Sequence, residues 1–379
     1  MDTWIADSAT DIARRAEREL EALVAVSSPS GDVHGADECA AVCSALAPAE
    51  AQVQRLACSS PGHARDVLAS VQGTGQGRLL LLGHVDTVVA HAEHRLLERR
   101  ESCLIGSGSV DMKGGVVLAL GVLRALTQRP QDFAEVALLL VVDEEWRTAP
   151  FAHVERFTGW DACLCFEAGE LTSGGAEGVV VRRKAAGTVR VTASGRAAHS
   201  GAAPDAGINA LLALAKAAQA VAVCHDPTGP SRRTAVPTVL HSGDAFNVVP
   251  ASGELLCDIR ADDADAIHSA ISGLPGEIDG ALLRTELLRL WPGMHSEVAA
   301  DPILRRASEH LEREIAGVTR GGASDASHFA SAIPVTIDGL GPRGGKAHHP
   351  DEYVITASLK SRAEVALAVA DAVLRPDGS

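Results

Sequence analysis

Four short apolar runs constrain the fold more than any other feature of this chain: Arg78–Leu82 (RLLLL), Val136–Val142 (VALLLVV), Ala162–Phe166 (ACLCF) and Pro334–Ile337 (PVTI). Each is short for a helix and continuous where a half-exposed strand would alternate, which is the pattern of parallel strands buried on both faces. They are interleaved with helical stretches, the first of them over 113–127, so the expected class is α/β with a mostly parallel central sheet. The middle of the chain changes character. Residues 179–194 alternate like an antiparallel strand, 205–223 form an Ala/Leu-rich helix, and 253–261 alternate again. This predicts an α+β domain over 179–290, inserted between the two parts of the first domain, 1–178 and 291–379. A chain of 379 residues is also too long for one ordinary core. A chain that leaves a domain and returns leaves a cleft, where ligands often bind.

Composition narrows the function classes. Acidic residues outnumber basic ones by 15, which argues against nucleic acid or an anionic membrane as partner. No window approaches the roughly 20 apolar residues of a membrane helix, and the N-terminal segment is a charged amphipathic helix without a signal peptide's apolar run. Eight cysteines show no CxxC or zinc-finger spacing and read as reduced, mostly buried thiols. The expectation is a cytoplasmic protein.

Several acidic and histidine residues lie just past the apolar runs. His84 and Asp86 sit in GHVDTV. Positions i and i+2 of an extended segment share a face, so both can point at one site. A ligating imidazole needs a partner for its other nitrogen, so Asp86 either binds a metal or backs the site. Taken alone, His-x-Asp reads as a strand-end turn. Asp111, in GSGSVDMKGG before the long helix, reads first as an N-cap, although its glycines would let the backbone close around something. Glu144 and Glu145 follow the second run in VVDEEWRT. Adjacent side chains on an extended segment diverge, so one can bind metal while the other serves as general base; a solvated loop is the plainer reading. Glu167 follows the third run, and His348 lies in GGKAHHPDEYV. As a set they fall where open α/β sheets place their sites, at the carboxyl ends of strands. Charge favours two metals: three carboxylates (Asp111, Glu145, Glu167) and two neutral imidazoles (His84, His348) balance two Zn²⁺ and one hydroxide. Ligands without thiolate suit a catalytic zinc pair, and Mn²⁺ or Co²⁺ fit as well.

These segments, with FEAGE, GRAAHSGAAPDAGINA, FNVVPASGELLCDIR, GGASDA and AHHPDEYV, resemble in order those of the M20 metallopeptidases: glutamate carboxypeptidase, succinyl-diaminopimelate desuccinylase, acetylornithine deacetylase and the aminoacylases. The match runs from His84 to Val354 and looks nearest the carboxypeptidase branch. The resemblance implies a zinc-peptidase-like catalytic domain and an inserted ferredoxin-like lid and dimerisation domain. It implies that Asp111 bridges two zincs, that His84 and Glu167 complete one site, and that Glu145 and His348 complete the other. Glu144 would be the general base and Asp86 would orient His84. His348 is preferred to His349 because the family motif has His four residues before Glu, here Glu352. A non-proline cis peptide is expected at Asp111–Met112. In the inserted domain, His199 would reach the partner subunit's cleft in a homodimer and stabilise the oxyanion. Asn247 and Arg260 would hold the substrate's α-carboxylate, with Gly321, Gly322 and Ser324 lining its pocket. A strand-end salt bridge is the plainer reading of Arg260.

One departure stands out. Relatives continue the DEE motif with a small or aliphatic residue and glycine, whereas Trp146 and Arg147 follow here, bulk and charge that could reshape the pocket. Arg182-Arg183-Lys184 suggests an acidic-substrate site, but reads better as a solvated strand edge. The leading expectation is hydrolysis of a peptidyl or N-acyl amino acid. The variants are an N-acyl-amino-acid deacylase and release of an amino acid from a biosynthetic intermediate. An inactive metal-dependent binding protein is the alternative from another class, and retention of Glu144, His199 and all five ligand positions argues against it.

Overall fold

The computed structural model describes residues 2–375. In chain order they form α1 (Thr3–Val24), α2 (Val33–Leu46), β1 (Gln52–Leu56), β2 (Asp66–Gln72), β3 (Gly77–His84), α3 (Gly114–Leu126), β4 (Phe133–Val141) and β5 (Ala162–Cys165). Then come β6 (Ala185–Ser194), α4 (Ala210–Val223), β7 (Thr234–Ser242), β8 (Ser252–Ala261), α5 (Ala264–Ser272) and β9 (Ala281–Trp291). The last long elements are α6 (Glu297–Leu311), β10 (Val335–Ile337) and α7 (Thr356–Leu374). The chain divides into two compact units: one of residues up to Arg182, Met294–Arg320 and Ser324 onward, the other of Arg183–Gly293 with Gly321–Ala323.

The first unit is built on a six-stranded sheet of order β1-β2-β4-β3-β5-β10. Strands β4, β3, β5 and β10 are parallel, and β1 and β2 extend the sheet antiparallel. Burial explains the continuous apolar runs. In β3, Leu79 and Leu81 enter one core layer while Leu80 and Leu82 enter the layer on the opposite face. All four are fully buried, which stabilises the fold by roughly 1.5–3 kcal/mol each. α1 covers the first layer. Its Ile5, Ala9, Ile12, Ala16, Leu20 and Leu23 are buried at helical spacing, and the Asp2 carboxylate caps it by accepting from Trp4 N at 2.7 Å. Parallel pairing also aligns strand ends, with His84 opposite Val141 and Leu82 opposite Cys165. Residues just past β3, β4 and β5 therefore emerge along one edge of the sheet.

The second unit is an antiparallel sheet of order β7-β8-β6-β9, with the short Glu277–Ile278 beside β9. α4 and α5 pack on one face through Leu214, Ala217, Val221 and Ile267 against Val189, Val191, Leu255 and Ile259. The chain order β6-α4-β7-β8-α5-β9 with this strand order is the ferredoxin-like arrangement. The α/β class and the ferredoxin-like insertion expected from the sequence are what the chain forms.

One element differs from the sequence reading. The alternating stretch 179–194 is two strands. Glu177–Arg183 joins a small sheet with Met294–His295 and Ile315–Arg320, whereas β6 begins the other unit. Alternation reports a half-buried strand but not which sheet it enters. At the crossing, Arg182 pairs with Glu297, Arg183 donates to Gly322 O at 2.8 Å and Lys184 donates to Arg232 O. None of the three stands as a solvated strand edge or as a free cationic site.

Candidate metal centre and active site

His84 ends β3, where its buried ring is fixed from both sides. Nδ1 lies 3.0 Å from the Asp86 carbonyl oxygen, so Nδ1 donates there and Nε2 is the nitrogen turned toward the carboxylates. Nε2 lies 3.2 Å from Asp111 Oδ1 and 3.7 Å from Glu167 Oε1. The other Asp111 oxygen, Oδ2, is 3.0 Å from His348 Nε2, which is 3.2 Å from Glu145 Oε1. Three groups of possible ligand atoms result, each within 4.8 Å: His84 with Asp111 and Glu167, Asp111 with Glu145 and His348, and His84 with Glu144 and Glu145. Of the two adjacent histidines, His348 faces this cluster, while His349 Nδ1 accepts from Asp351 N within its own turn.

Asp86 has a role that sequence reasoning missed. Its carboxylate accepts from Glu144 N at 3.1 Å and from Glu145 N at 2.9 Å, so it holds the main chain of both glutamates as well as facing His84. The motif spacing shows His84 and Asp86 together but cannot show a grip on residues 58 and 59 positions away.

The peptide between Asp111 and Met112 is cis. The glycines around it serve close packing. Gly108 adopts φ +71°, and a Cβ on Gly115 would meet the Phe166 carbonyl oxygen at 1.9 Å. That contact sets the start of α3 against the end of β5, one residue before Glu167.

The electrostatics match the geometry. Hydrogen bonds to Asp111 and Glu145 push His348 up to about 10. Burial works to lower His84, but Asp111, Asp86 and Glu167 together hold it well above its usual value. Burial likewise works to raise Asp111, and its bonds to His348 and His84 outweigh that and lower it. Burial raises Glu144 well above the carboxylate range, reinforced by the charge of Asp325. A field strong enough to hold protons on two imidazoles is one that attracts cations, so the donor set fits divalent metal.

Arg147 does not bring charge into a pocket. Its guanidinium makes two bonds to Asp325, at 2.5 and 2.6 Å, and one to Asp143 at 3.1 Å, and its side chain is 4% exposed. Trp146, 43% exposed, lies over Gly31 and beside the His63 ring. Cys58, Asp66 and Asp143 also lie close enough for a metal, but they form a hydrogen-bonded network. Asp66 accepts from Val142 N and pairs with His153, Asp143 accepts from Ser60 N and Oγ, and burial pushes the Cys58 thiol up.

The remaining predicted residues fall mostly in the second unit. His199 is exposed, and its Nδ1 accepts from Gly201 N and Ala202 N, both at 3.1 Å, which leaves Nε2–H as a donor. Asn247 is exposed, and its carbonyl oxygen accepts from Ser200 N. Arg260 pairs with Asp258 at 2.9 Å and donates to Gly321 O at 2.9 Å, so here it makes the strand-end salt bridge. Gly321 and Gly322 are exposed. Ser324, in the first unit, is fully buried with its Oγ accepting from Ala326 N.

Imidazoles and carboxylates gathered past the ends of parallel strands make a candidate metal site. The profile of peptidase family M20/M25/M40 matches residues 80–372, and the chain belongs to that family. It is 26% identical to carboxypeptidase G2 of Pseudomonas sp. (strain RS-16), over 95% of this chain and 90% of the relative. It is 30% identical to succinyl-diaminopimelate desuccinylase of Methylorubrum extorquens (strain PA1), over 83% and 88%. Among solved structures, a tripeptidase from Staphylococcus aureus superposes with a TM-score of 0.76 at 21% identity, covering 96% of this chain and 99% of that one. No helix among the described residues is long and apolar enough to cross a membrane.

Proposed function

We propose that this M20 hydrolase carries two zinc ions and cuts the amide bond of a peptidyl or N-acyl amino acid with a free α-carboxylate. The observation that carries this reading is the Asp111 carboxylate, whose two oxygens face different imidazoles at 3.2 and 3.0 Å. One carboxylate between two sets of donors is the arrangement for a bridging ligand. His84 and Glu167 would complete one metal site, and Glu145 and His348 the other. Co²⁺ and Mn²⁺ suit the same donors.

Bound there, a divalent pair supplies Lewis-acid polarisation of the scissile carbonyl and lowers the pKa of a water. Glu144 accepts the proton of the attacking water as the new C–O bond forms, then returns it to the leaving nitrogen as the C–N bond breaks. Asp86 keeps Glu144 aimed by holding the amides of both glutamates. His199, with Nδ1 tied as an acceptor, would be left to donate from Nε2 to the oxyanion developing in the partner subunit's cleft of a homodimer. Arg260 offers a planar fork for the α-carboxylate, which would take the place of Asp258.

The relatives' names, a carboxypeptidase and a desuccinylase, support two acyl classes, so an N-acyl-amino-acid deacylase, or release of an amino acid from a biosynthetic intermediate, is the second reading. A homodimer is supported by edge strand β7, which exposes Val236, Val239 and Leu240, and by Leu211 and Leu212 on α4. Free thiols and a net negative charge suit the cytoplasm.

The test is amino-acid release from a panel of dipeptides and N-acyl amino acids by zinc-loaded protein, with Glu144→Ala as control. Release from one class, reduced about 10²–10⁴-fold in the control, supports the reading and selects between its two forms. Silence across the panel with two zincs bound would remove both.

A further inference from the structure

Asp111 can lie between two donor sets only if the irregular turn that carries it is held in place. That turn, Ser109–Lys113, departs from helical geometry at Asp111 (φ −122°, ψ 89°). A turn entering a helix leaves its first amides without main-chain partners. Here a side chain from far along the sequence meets them. The Glu352 carboxylate, 1% exposed, accepts from Gly108 N at 3.1 Å through one oxygen. Through the other it accepts from Val110 N at 2.5 Å and Asp111 N at 2.6 Å. Its main chain joins the same loop, since Gly106 N donates to Glu352 O at 2.9 Å. Glu352 also closes the turn that presents His348, because Glu352 N donates to His349 O at 2.9 Å. The neighbouring Tyr353–Ile355 is a strand paired with Cys103–Ile105.

We infer that Glu352 is a positioning residue that staples the Asp111 turn to the His348 turn and so sets the spacing of these two metal-facing groups. This rests on the two-metal reading above. Glu352 reaches no reacting atom; it acts through the main chain of Asp111. A buried carboxylate accepting three amides stays in place only with all three bonds made, so the unit is rigid in both directions. Loss of such an outer partner costs about 10–100-fold in metal affinity.

The experiment compares wild type with Glu352→Gln, which keeps the shape but turns one acceptor into a donor facing an N–H. Both are stripped of metal and titrated with Co²⁺, and affinity and the visible absorption of the cobalt form are recorded. The expected result is an unchanged circular dichroism spectrum in chelator, Co²⁺ affinity lowered about 10–100-fold and an altered absorption band. A purely structural cap would alter thermal stability but leave the band of the bound cobalt where it was. Wild type binding two Co²⁺ with the variant identical in affinity and band overturns this inference alone. Wild type binding no Co²⁺ overturns the metal reading and this inference with it. Should the variant not fold, amide hydrogen exchange in metal-free wild type decides: protection at Gly108, Val110 and Asp111 is expected, and free exchange at all three overturns the staple.

Discussion

Replacing Arg147 with Met tests whether the departure after the DEE motif belongs to the core. Arg147, Asp325 and Asp143 have side-chain exposures of 4%, 4% and 0%. Asp143 keeps two bonds from Ser60 without the arginine, while Asp325 loses both bonds from the guanidinium. The Phe151 ring, 4.5 Å from the guanidinium carbon, would still have an apolar side chain to pack on. Removing one partner of a buried pair costs about 3–5 kcal/mol, because a charge is left buried and uncompensated; an exposed pair would cost at most about 1 kcal/mol. The assay is urea unfolding of metal-free protein followed by tryptophan fluorescence, since bound metal adds its own stabilisation. Asp325→Leu in the Arg147→Met background should recover part of the loss, with a coupling of about 1–3 kcal/mol. A single-variant loss below about 1 kcal/mol, or strict additivity of the two changes, would refute the argument.

Asp86→Asn places an amide nitrogen against one of two N–H donors and should lower kcat by about 10–100-fold with metal still bound; unchanged kcat would remove the proposed grip on Glu144. Burial lowers the His328 pKa from 6.5 to about 4, so the folded state binds fewer protons than the unfolded chain between those values. Stability is full above about pH 6.5 and falls as pH drops towards 4, by on the order of 3 kcal/mol. Unfolding curves of wild type and His328→Gln should converge over that window, and parallel curves would contradict it. Removing metal with a chelator should lower Tm, by the stabilisation of about 2.7 kcal/mol that a ligand at 100 times its Kd confers. A Tm indifferent to chelator and to added Zn²⁺ would count against the metal centre.

The candidate site was legible where chemistry coincides with strand ends. His84, the Glu144–Glu145 pair and Glu167 each follow an apolar run, and parallel register alone brings them to one edge. His348 lies on no such strand, and only resemblance to the family picked it from fifteen histidines. Ser324 entered only as part of a motif beside glycines, and only the folded chain shows its hydroxyl accepting from the Ala326 amide.

What the sequence determined by itself is therefore local and periodic: which runs are buried on both faces, which stretches are amphipathic, and which acidic and imidazole groups sit at element ends. Hydrophobic burial acts on each of these within a few residues, so the pattern survives in one dimension. Only tertiary structure decided that 179–194 divides between two sheets, that Arg147 turns inward to Asp325, and that Asp86 and Glu352 hold other residues' amides. Glu352 lies 241 positions from the Asp111 amide it binds. Such pairings depend on where buried donors end up without a partner, and that exists only once the chain has folded.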